Sequence, residues 1–374
     1  MNDWQLNKKT LIVTREPLAG SSLSNLLHLL VQNRFQIDGR YLPRIVYAMM
    51  MSSLLTPLRI REHLLFDKAI KKTEVTQPPI FILGHWRSGT TYLHNILSLD
   101  DTFRYFTTIQ ALLPSVFLGH EKLLRLFISS NLPQKRPMDD VPMGSEFPQE
   151  EEYALAAVSQ YSGHHGLCFP RNWGYYNKFI FMDEVSQKIK NKWKEYYRFL
   201  IQKETLYHNG KCLVLKNPAN TARIKLLLEM FPEAKFIHIY RNPYHVYLSM
   251  MKLLHSVVPL FCVQKPPKLE EVEQQVLQVY KRMYMKYFKE KNDIPKENLI
   301  EVQYEEFIKH PLKQVSHIYT TFNFQGFKES EKIFSKYIEK QADIKKQTYV
   351  VDEQLKEKIY KEWKFTFTQF HYKK

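Results

Sequence analysis

Cysteine and glycine are both scarce in this chain of 374 residues, which contains 3 cysteines and 11 glycines. Cys168, Cys212 and Cys262 are odd in number and show no paired spacing. We therefore expect neither a disulfide framework nor a zinc knuckle, and this cysteine usage is typical of a reducing cytoplasm. So few glycines leave little room for low-complexity linkers, and no internal repeat is present.

A secretory-type N-terminus and long apolar runs are also missing. Residues 1–5 show no basic segment followed by an apolar core, so we expect no secretory signal. The apolar stretch at residues 45–55 is shorter than the roughly 20 residues that a spanning helix needs. Two arginines precede this stretch and two follow it: Arg40, Arg44, Arg59 and Arg61. Two interpretations stay open, a helix lying in the membrane interface and a core helix with solvated ends.

Acidic residues are outnumbered, with 38 Asp and Glu against 54 Lys and Arg, which gives a formal net charge of +16. Such a surplus predicts an anionic partner: a nucleotide, a nucleic acid or a membrane surface. The basic residues are scattered over segments such as 184–206 and 327–362, and no nucleic-acid-binding motif is recognised. We therefore expect no nucleic-acid partner.

The functional prediction rests on residues 79–97. Ile80–Leu83 is a short apolar run of strand type, Gly84–Gly89 is a turn with a glycine at each end, and Thr90–Leu97 has helical periodicity. A strand, a tight turn and a helix N-terminus in this order hold a phosphate-like anion, because backbone N–H groups converge there and the helix dipole adds positive potential.

The turn lacks the lysine of a nucleotide P-loop. Its spacing copies the first part of G-x-x-x-x-G-K-[ST], but Thr90 stands in the lysine position and the cation is Arg87, inside the loop. An arginine fork with hydroxyls suits a smaller, less charged group than a magnesium triphosphate. A P-loop kinase, which also needs an Asp at a strand end for Mg²⁺, is therefore a disfavoured alternative.

Five consecutive loop residues resemble the 5′-phosphosulfate loop of sulfotransferases that use 3′-phosphoadenosine 5′-phosphosulfate (PAPS): Arg87, Ser88, Gly89, Thr90 and Thr91. Residues 79–97 resemble in particular the large bacterial branch of that family. The resemblance implies an α/β fold with a P-loop-like parallel sheet flanked by helices, an N-terminal helical extension and helical insertions. It also implies direct in-line transfer of a sulfuryl group to a hydroxyl without a metal, with 3′-phosphoadenosine 5′-phosphate (PAP) as the product.

Four later residues, at three places in the chain, continue the resemblance. Arg241 ends an apolar strand and Ser249 lies eight residues on, which resembles the 3′-phosphate site. Lys216 ends another strand in a Lys-x-Pro-x-x-Thr stretch, and the resemblance implies that it faces the sulfuryl group. Strand ends of parallel sheets gather at the ligand crevice, which supports this placement. Tyr304 resembles the tyrosine near the adenine, where aromatic stacking is chemically reasonable.

The general base stays open. Many relatives place a glutamate in the segment after the loop helix, but residues 105–110 contain no acid. Glu150 and Glu152 belong to an acidic cluster that resembles the Pro-x-Glu-Asp/Glu-Glu segment of the bacterial branch. His94, four residues after Thr90 on the same helix face, is the runner-up. His164 and His165 are weaker candidates, and no group shows metal-ligand spacing, so no metal is predicted.

The acceptor prediction rests on aromatic residues at 161–181 and the apolar segment 45–58, which indicate a flat or lipid-like alcohol. Resemblance to gut-bacterial enzymes that sulfate sterols and steroids implies a small hydrophobic alcohol of that kind. The alternatives are a glycan or another lipid hydroxyl, or a basic membrane-binding protein without catalysis.

The chain is expected to have two parts. Residues 1–75 would be a helical extension packed on the core, and 76–374 a sulfotransferase domain with an acceptor-site insertion at 100–182. We expect a bacterial cytoplasmic location, with peripheral contact on the inner membrane face if the interfacial interpretation holds.

Overall fold

The computed structural model describes residues 4, 11–121, 124–126, 129, 132–133, 135–136, 141–342 and 351–374. The prediction of no secretory signal falls on residues 1–5, which apart from Trp4 lie outside the described residues. Among the described residues, no helix is both long and apolar enough to cross a membrane.

Two compact units are formed by segments that alternate along the chain. Unit 1 consists of Met1–Val75, Phe106–Gly210 and Lys252–Glu273. Unit 2 consists of Thr76–Tyr105, Lys211–Met251 and Gln274–Lys374. The expected division into an extension (1–75) and a domain (76–374) with an insertion (100–182) stays a prediction.

A five-stranded parallel sheet forms the centre of unit 2. Its strands are β1 (Ile80–Leu83), β2 (Phe103–Arg104), β3 (Cys212–Lys216), β4 (Lys235–Tyr240) and β5 (Leu299–Gln303), in the order β2-β3-β1-β4-β5. All four residues of the central strand β1 are buried. A strand covered on both faces reads as a continuous apolar run, which is why β1 was recognisable in the sequence.

Helices make up most of the remaining described chain. In chain order they are α1 (Leu23–Gln32), α2 (Leu42–Leu54), α3 (Thr56–Lys72), α4 (Thr90–Leu97), α5 (Thr108–Leu112), α6 (Glu151–Val158), α7 (His165–Cys168), α8 (Trp173–Phe181), α9 (Gln187–Tyr207), α10 (Ile224–Met230), α11 (Pro243–Phe261), α12 (Leu269–Glu290), α13 (Tyr304–Lys309), α14 (Pro311–Phe322), α15 (Phe327–Ala342) and α16 (Glu353–Gln369).

Successive residues of β1 point to opposite faces of the sheet. Ile80 and Ile82 join the buried cluster that contains Leu93 of α4. Phe81 lies on the other face, where its ring centroid is 6.0 Å from that of Phe231. The predicted α/β fold, a parallel sheet flanked by helices, is confirmed.

The turn from β1 into α4 depends on Gly84, whose φ is +137°. A Cβ added to this glycine would lie 2.3 Å from the backbone oxygen of Ile239 in β4. The Gly84 N–H donates to Oγ1 of Thr221 at 2.8 Å. The turn therefore passes so close to the neighbouring strand that no side chain fits at this position.

We expect Gly84→Ala to destabilise the protein by about 3 kcal/mol, combining backbone strain of about 1–2 kcal/mol with overpacking of about 1–3 kcal/mol. Thermal unfolding measures the loss. Gly210→Ala is the control for strain alone, since Gly210 has a φ of +79° but open space around its Cβ position. Gly174→Ala, with open space in α8, should leave the melting temperature unchanged or slightly raised. Equal melting temperatures for Gly84→Ala and Gly174→Ala would contradict this account.

Candidate active site

The loop between β1 and α4 leads into a helix N-terminus that no described side chain caps. Arg87 has a φ of 74°, a left-handed conformation that is uncommon for a residue with a side chain. Gly89 is the N-cap of α4 with a φ of 99°, and no side chain caps the helix there. The first-turn N–H groups of a helix have no carbonyl partner within it, so an uncapped N-terminus of this kind suits an anion.

Arg87 joins two motifs that are far apart in the sequence. Its Nε donates to Oγ of Ser249, in the second turn of α11, at 2.8 Å. Nη1 of Arg241 donates to the backbone oxygen of Arg87 at 3.1 Å. The loop predicted to hold a 5′-phosphosulfate and the pair predicted to hold a 3′-phosphate therefore lie in direct contact.

Tyr304, the first residue of α13, lies against both parts of this group. The Arg241 guanidinium carbon is 4.3 Å from the centroid of the Tyr304 ring, within cation–π distance. A Cβ added to Gly89 would lie 2.4 Å from Cδ2 of Tyr304. Glycine at position 89 is therefore needed both for its φ and for the approach of this ring.

Arg241 also carries an unsatisfied donor. Its Nε is buried and makes no hydrogen bond within the described part of the chain. A buried N–H without an acceptor costs about 1–3 kcal/mol, so such a group calls for a partner. An anion bound beside Arg241 would supply the acceptor.

Glu305 fixes the turn that carries Arg241, a role that sequence reasoning missed. One oxygen of its carboxylate accepts the N–H of Asn242 at 3.0 Å, and the other accepts the hydroxyl of Tyr372. The glutamate directly after Tyr304 is visible in the sequence, but its hydrogen-bond partner lies in a distant turn that the sequence does not connect with it.

Lys216, at the end of β3, lies close to His94 of α4. Lys216 ends β3 and is 2% exposed. His94 is completely buried, and its Nε2 donates to the backbone oxygen of Val214 at 3.2 Å. Burial, helped by the charge of Lys216, lowers the pKa of His94 to about 3. Its imidazole is therefore neutral at physiological pH, while the Nδ1 atom is buried and accepts no hydrogen bond from the described residues.

The hydroxyl side chains of the loop are buried or half-buried, which the sequence alone does not show. Ser88 is fully buried. Its hydroxyl lies beside the phenol of Tyr284. Burial raises the pKa of Tyr284 to about 12, and the contact with Ser88 opposes this rise. Thr90 is 4% exposed, and Thr91 is half-buried in the first turn of α4.

The predicted acids lie in unit 1, at the start of α6. Glu150 is the N-cap residue, and its Oε2 is 3.7 Å from Nε2 of His164. Glu152 is completely buried and accepts the hydroxyl of Ser162 at 2.7 Å. No sequence pattern favours one of these two acids over the other, but in the structure only Glu150 of the two is partly exposed, with 14% of its side chain accessible.

Glu151 was not among the acids predicted from the sequence to act in the site. Burial raises the pKa of Glu151 to about 7, and its Oε1 accepts the hydroxyl of Tyr197 at 2.7 Å. A run of three glutamates at a helix start gives no indication of which one points inwards.

Unit 1 also contains an apolar cavity beside this acidic cluster. It is small, with a cavity volume of about 30 Å³. Apolar side chains dominate the lining, among them Leu18, Leu112, Leu167 and Phe261. His164, the partner of Glu150, lies in the wall. Within the described ranges, no three His, Cys, Asp or Glu side chains are grouped so as to hold a metal ion.

Known proteins resemble the chain over most of its length. A profile of the sulfotransferase family matches residues 78–329. The chain is 30% identical over 332 residues to omega-hydroxy-beta-dihydromenaquinone-9 sulfotransferase Stf3 of Mycobacterium bovis, an alignment that covers 88% of this chain and 84% of the relative.

Two crystal structures share the fold. Sulfotransferase STF1 from Mycobacterium tuberculosis superposes with a TM-score of 0.67 and 16% identity, covering 91% of each chain. Sulfotransferase STF9 from Mycobacterium avium gives a TM-score of 0.65 and 14% identity, covering 94% of this chain and 97% of the other. These structures establish the fold, and the profile and the mycobacterial relative establish the family: the chain belongs to the sulfotransferase family.

Proposed function

We propose that this enzyme transfers the sulfuryl group of PAPS to the hydroxyl of a hydrophobic alcohol. The observation that carries the proposal is the contact between Arg87 and Ser249, which joins the loop at the N-terminus of α4 to the helix that follows Arg241. Two cationic groups and a helix N-terminus thus converge in one place, which suits a nucleotide with two separate anionic groups.

Each part of the donor has a matching group of residues. The 5′-phosphosulfate would be held by five loop residues: Arg87, Ser88, Gly89, Thr90 and Thr91. Arg241 and Ser249 would hold the 3′-phosphate, and the buried Nε of Arg241 supports this because it lacks an acceptor. Tyr304, in contact with Arg241, would face the adenine.

When bound, PAPS supplies an activated sulfuryl group, and the protein's contribution is to position it and stabilise charge. Arg87 and Lys216 would stabilise the negative charge that builds on the phosphate side as the sulfuryl group leaves. Because Lys216 is only 2% exposed, water screens its charge little. No step in this account requires a metal.

The base is best assigned to Glu150. It combines a partly exposed carboxylate with a histidine partner at 3.7 Å, whereas Glu152 is enclosed and bonded to Ser162. His94 is disfavoured, because an imidazole whose pKa is lowered to about 3 is a poor proton acceptor at neutral pH. Glu152 would then orient the segment rather than take the proton.

The acceptor is proposed to be a lipid alcohol. The relative Stf3 is named for a hydroxylated menaquinone, a lipophilic acceptor. The apolar walls of the cavity beside His164 favour an apolar body over a sugar, and the cavity of about 30 Å³ would have to widen to admit one. A hydroxylated isoprenoid and a sterol both fit this class. A bacterial cytoplasmic enzyme with peripheral membrane contact would meet either one at the lipid surface.

Arg241→Ala should weaken PAP binding about 10- to 100-fold, because a charge-assisted hydrogen bond contributes about 1.5–3 kcal/mol. Calorimetric titration with PAP measures this. Lys309→Ala is the matched control, since its cation is 62% exposed and pairs with Glu306 on the surface. Equal PAP affinity for wild type and Arg241→Ala would remove this residue from the donor site.

Glu150→Gln should lower kcat about 10²- to 10⁴-fold, the usual contribution of a general base, and leave PAP affinity unchanged. Glu195→Gln, an exposed acid of α9, is the control. If Glu152→Gln abolishes turnover while Glu150→Gln retains it, the base is Glu152 instead.

Lipid alcohols should be turned over at least about tenfold more efficiently than sugars, since an apolar pocket discriminates by burying apolar surface. A panel of an ω-hydroxylated isoprenoid quinone, a sterol and a monosaccharide measures kcat/KM. Ala156→Val should narrow the cavity and raise KM for the lipid about tenfold, while Ala69→Val, an exposed change in α3, should not. Selective turnover of the sugar would contradict the lipid proposal.

A further inference from the structure

Exposed apolar side chains are concentrated in the N-terminal part of unit 1. Of the 18 large apolar side chains that are exposed among the described residues, 12 lie between Ile12 and Leu65. Singly scattered exposed apolar residues are normal in soluble proteins, whereas a concentration of this kind marks an interaction surface. The clustering therefore calls for a partner.

Helix α2 carries the centre of this surface. Leu42, Val46, Met49 and Met50 recur at the spacing of one helical face, with exposures of 52%, 64%, 37% and 56%. The opposite face, which includes Ile45, is buried in the protein. The helix is therefore apolar both inwards and outwards, although it lies at the surface.

The two neighbouring helices continue the exposed face. On α1, Leu27 and Val31 are 41% and 61% exposed and lie one turn apart. On α3, Ile60 and Leu64 are 55% and 76% exposed and also lie one turn apart. Helix α2 packs against both α1 and α3 within unit 1. We call the outward apolar side chains of these three helices the apolar face.

Exposed basic residues border the apolar face. They follow α1, precede α2 or lie on α3: Arg34, Arg40, Arg61, Lys68, Lys71 and Lys72. Most nearby acids are engaged, since Asp38 pairs with Arg171 and Asp67 with His63, while Glu62 is buried with Lys203. One exposed acid, Glu74, stands against the six exposed cations. The surroundings of the face therefore carry a net positive charge.

Two of the four arginines that flank the apolar stretch in the sequence serve another purpose. Arg44 is 1% exposed and donates to the backbone oxygen of Cys262 at 2.6 Å. Arg59 donates to the backbone oxygens of Gly20, Ser21 and Ser52. These two side chains hold unit 1 together, and the surface cations come from α3 and the ends of α1 and α2.

We propose that the apolar face docks on a membrane that contains anionic phospholipid. Leucine, methionine, valine and isoleucine at the centre with lysine and arginine around them form the pattern of an interfacial helix surface. Each lysine near an anionic leaflet adds electrostatic attraction. Membrane docking follows from this surface. Its purpose rests on the proposed function, because docking would bring the enzyme to a lipid acceptor.

The test is co-sedimentation of the full chain with vesicles of phosphatidylcholine alone or with phosphatidylglycerol added. Wild type should partition onto the anionic vesicles, and Val46→Glu with Met50→Glu should reduce the partition coefficient at least tenfold. Met285→Glu is the matched control, because this methionine is 58% exposed but lies on α12 in unit 2. Changing Lys68, Lys71 and Lys72 to Gln should weaken binding about fivefold for each lysine.

Absence of binding to either vesicle, or equal binding by wild type and the Val46→Glu, Met50→Glu variant, would overturn the proposal. So would a concentration-dependent dimer that this variant dissociates without any vesicle binding, since the apolar face would then bind a second copy. PAP titration of the same variants separates the two proposals. Unchanged PAP affinity with lost vesicle binding isolates docking, and absent PAP binding in wild type would refute the donor site alone.

Discussion

The structure of unit 2 depends on how closely the loop after β1 approaches its neighbours. Gly84 lies against β4, and Gly89 lies against the ring of Tyr304, so neither position admits a side chain. This close approach brings the Arg87 side chain to Ser249 and the Arg87 carbonyl to Arg241. A loop held further from the sheet would keep the two arginines apart, whereas this arrangement brings both cations to the proposed donor site.

Local sequence patterns were sufficient for the central elements. The strand at 80–83 and the helix at 90–97 were predicted with the bounds observed, because a buried apolar run and a helical period are properties of consecutive residues. Strand β2 was not predicted, since its two residues are too few to show a period. The helix after β3 begins only at Ile224, after a 3-10 turn over Pro218–Ala222, and no local pattern marks that change of helix type.

Contacts between distant residues were harder to predict. The sequence indicated that Arg87, Arg241 and Ser249 serve one nucleotide, but not that Arg87 and Ser249 share a hydrogen bond. It also could not show that His94 is buried beside a lysine, which lowers the pKa of His94 and weakens it as a base. Burial and neighbouring charge depend on packing between elements, and no local pattern encodes them.

The central claim is that the loop and α11 form one donor site through the Arg87–Ser249 contact. A double-mutant cycle measures it most directly, with Arg87→Ala, Ser249→Ala and the double variant titrated with PAP by calorimetry. We expect the two substitutions to be coupled by at least about 1 kcal/mol, as found for residues in direct contact. Tight PAP binding with strictly additive effects, or no PAP binding by the wild-type chain, would contradict the account.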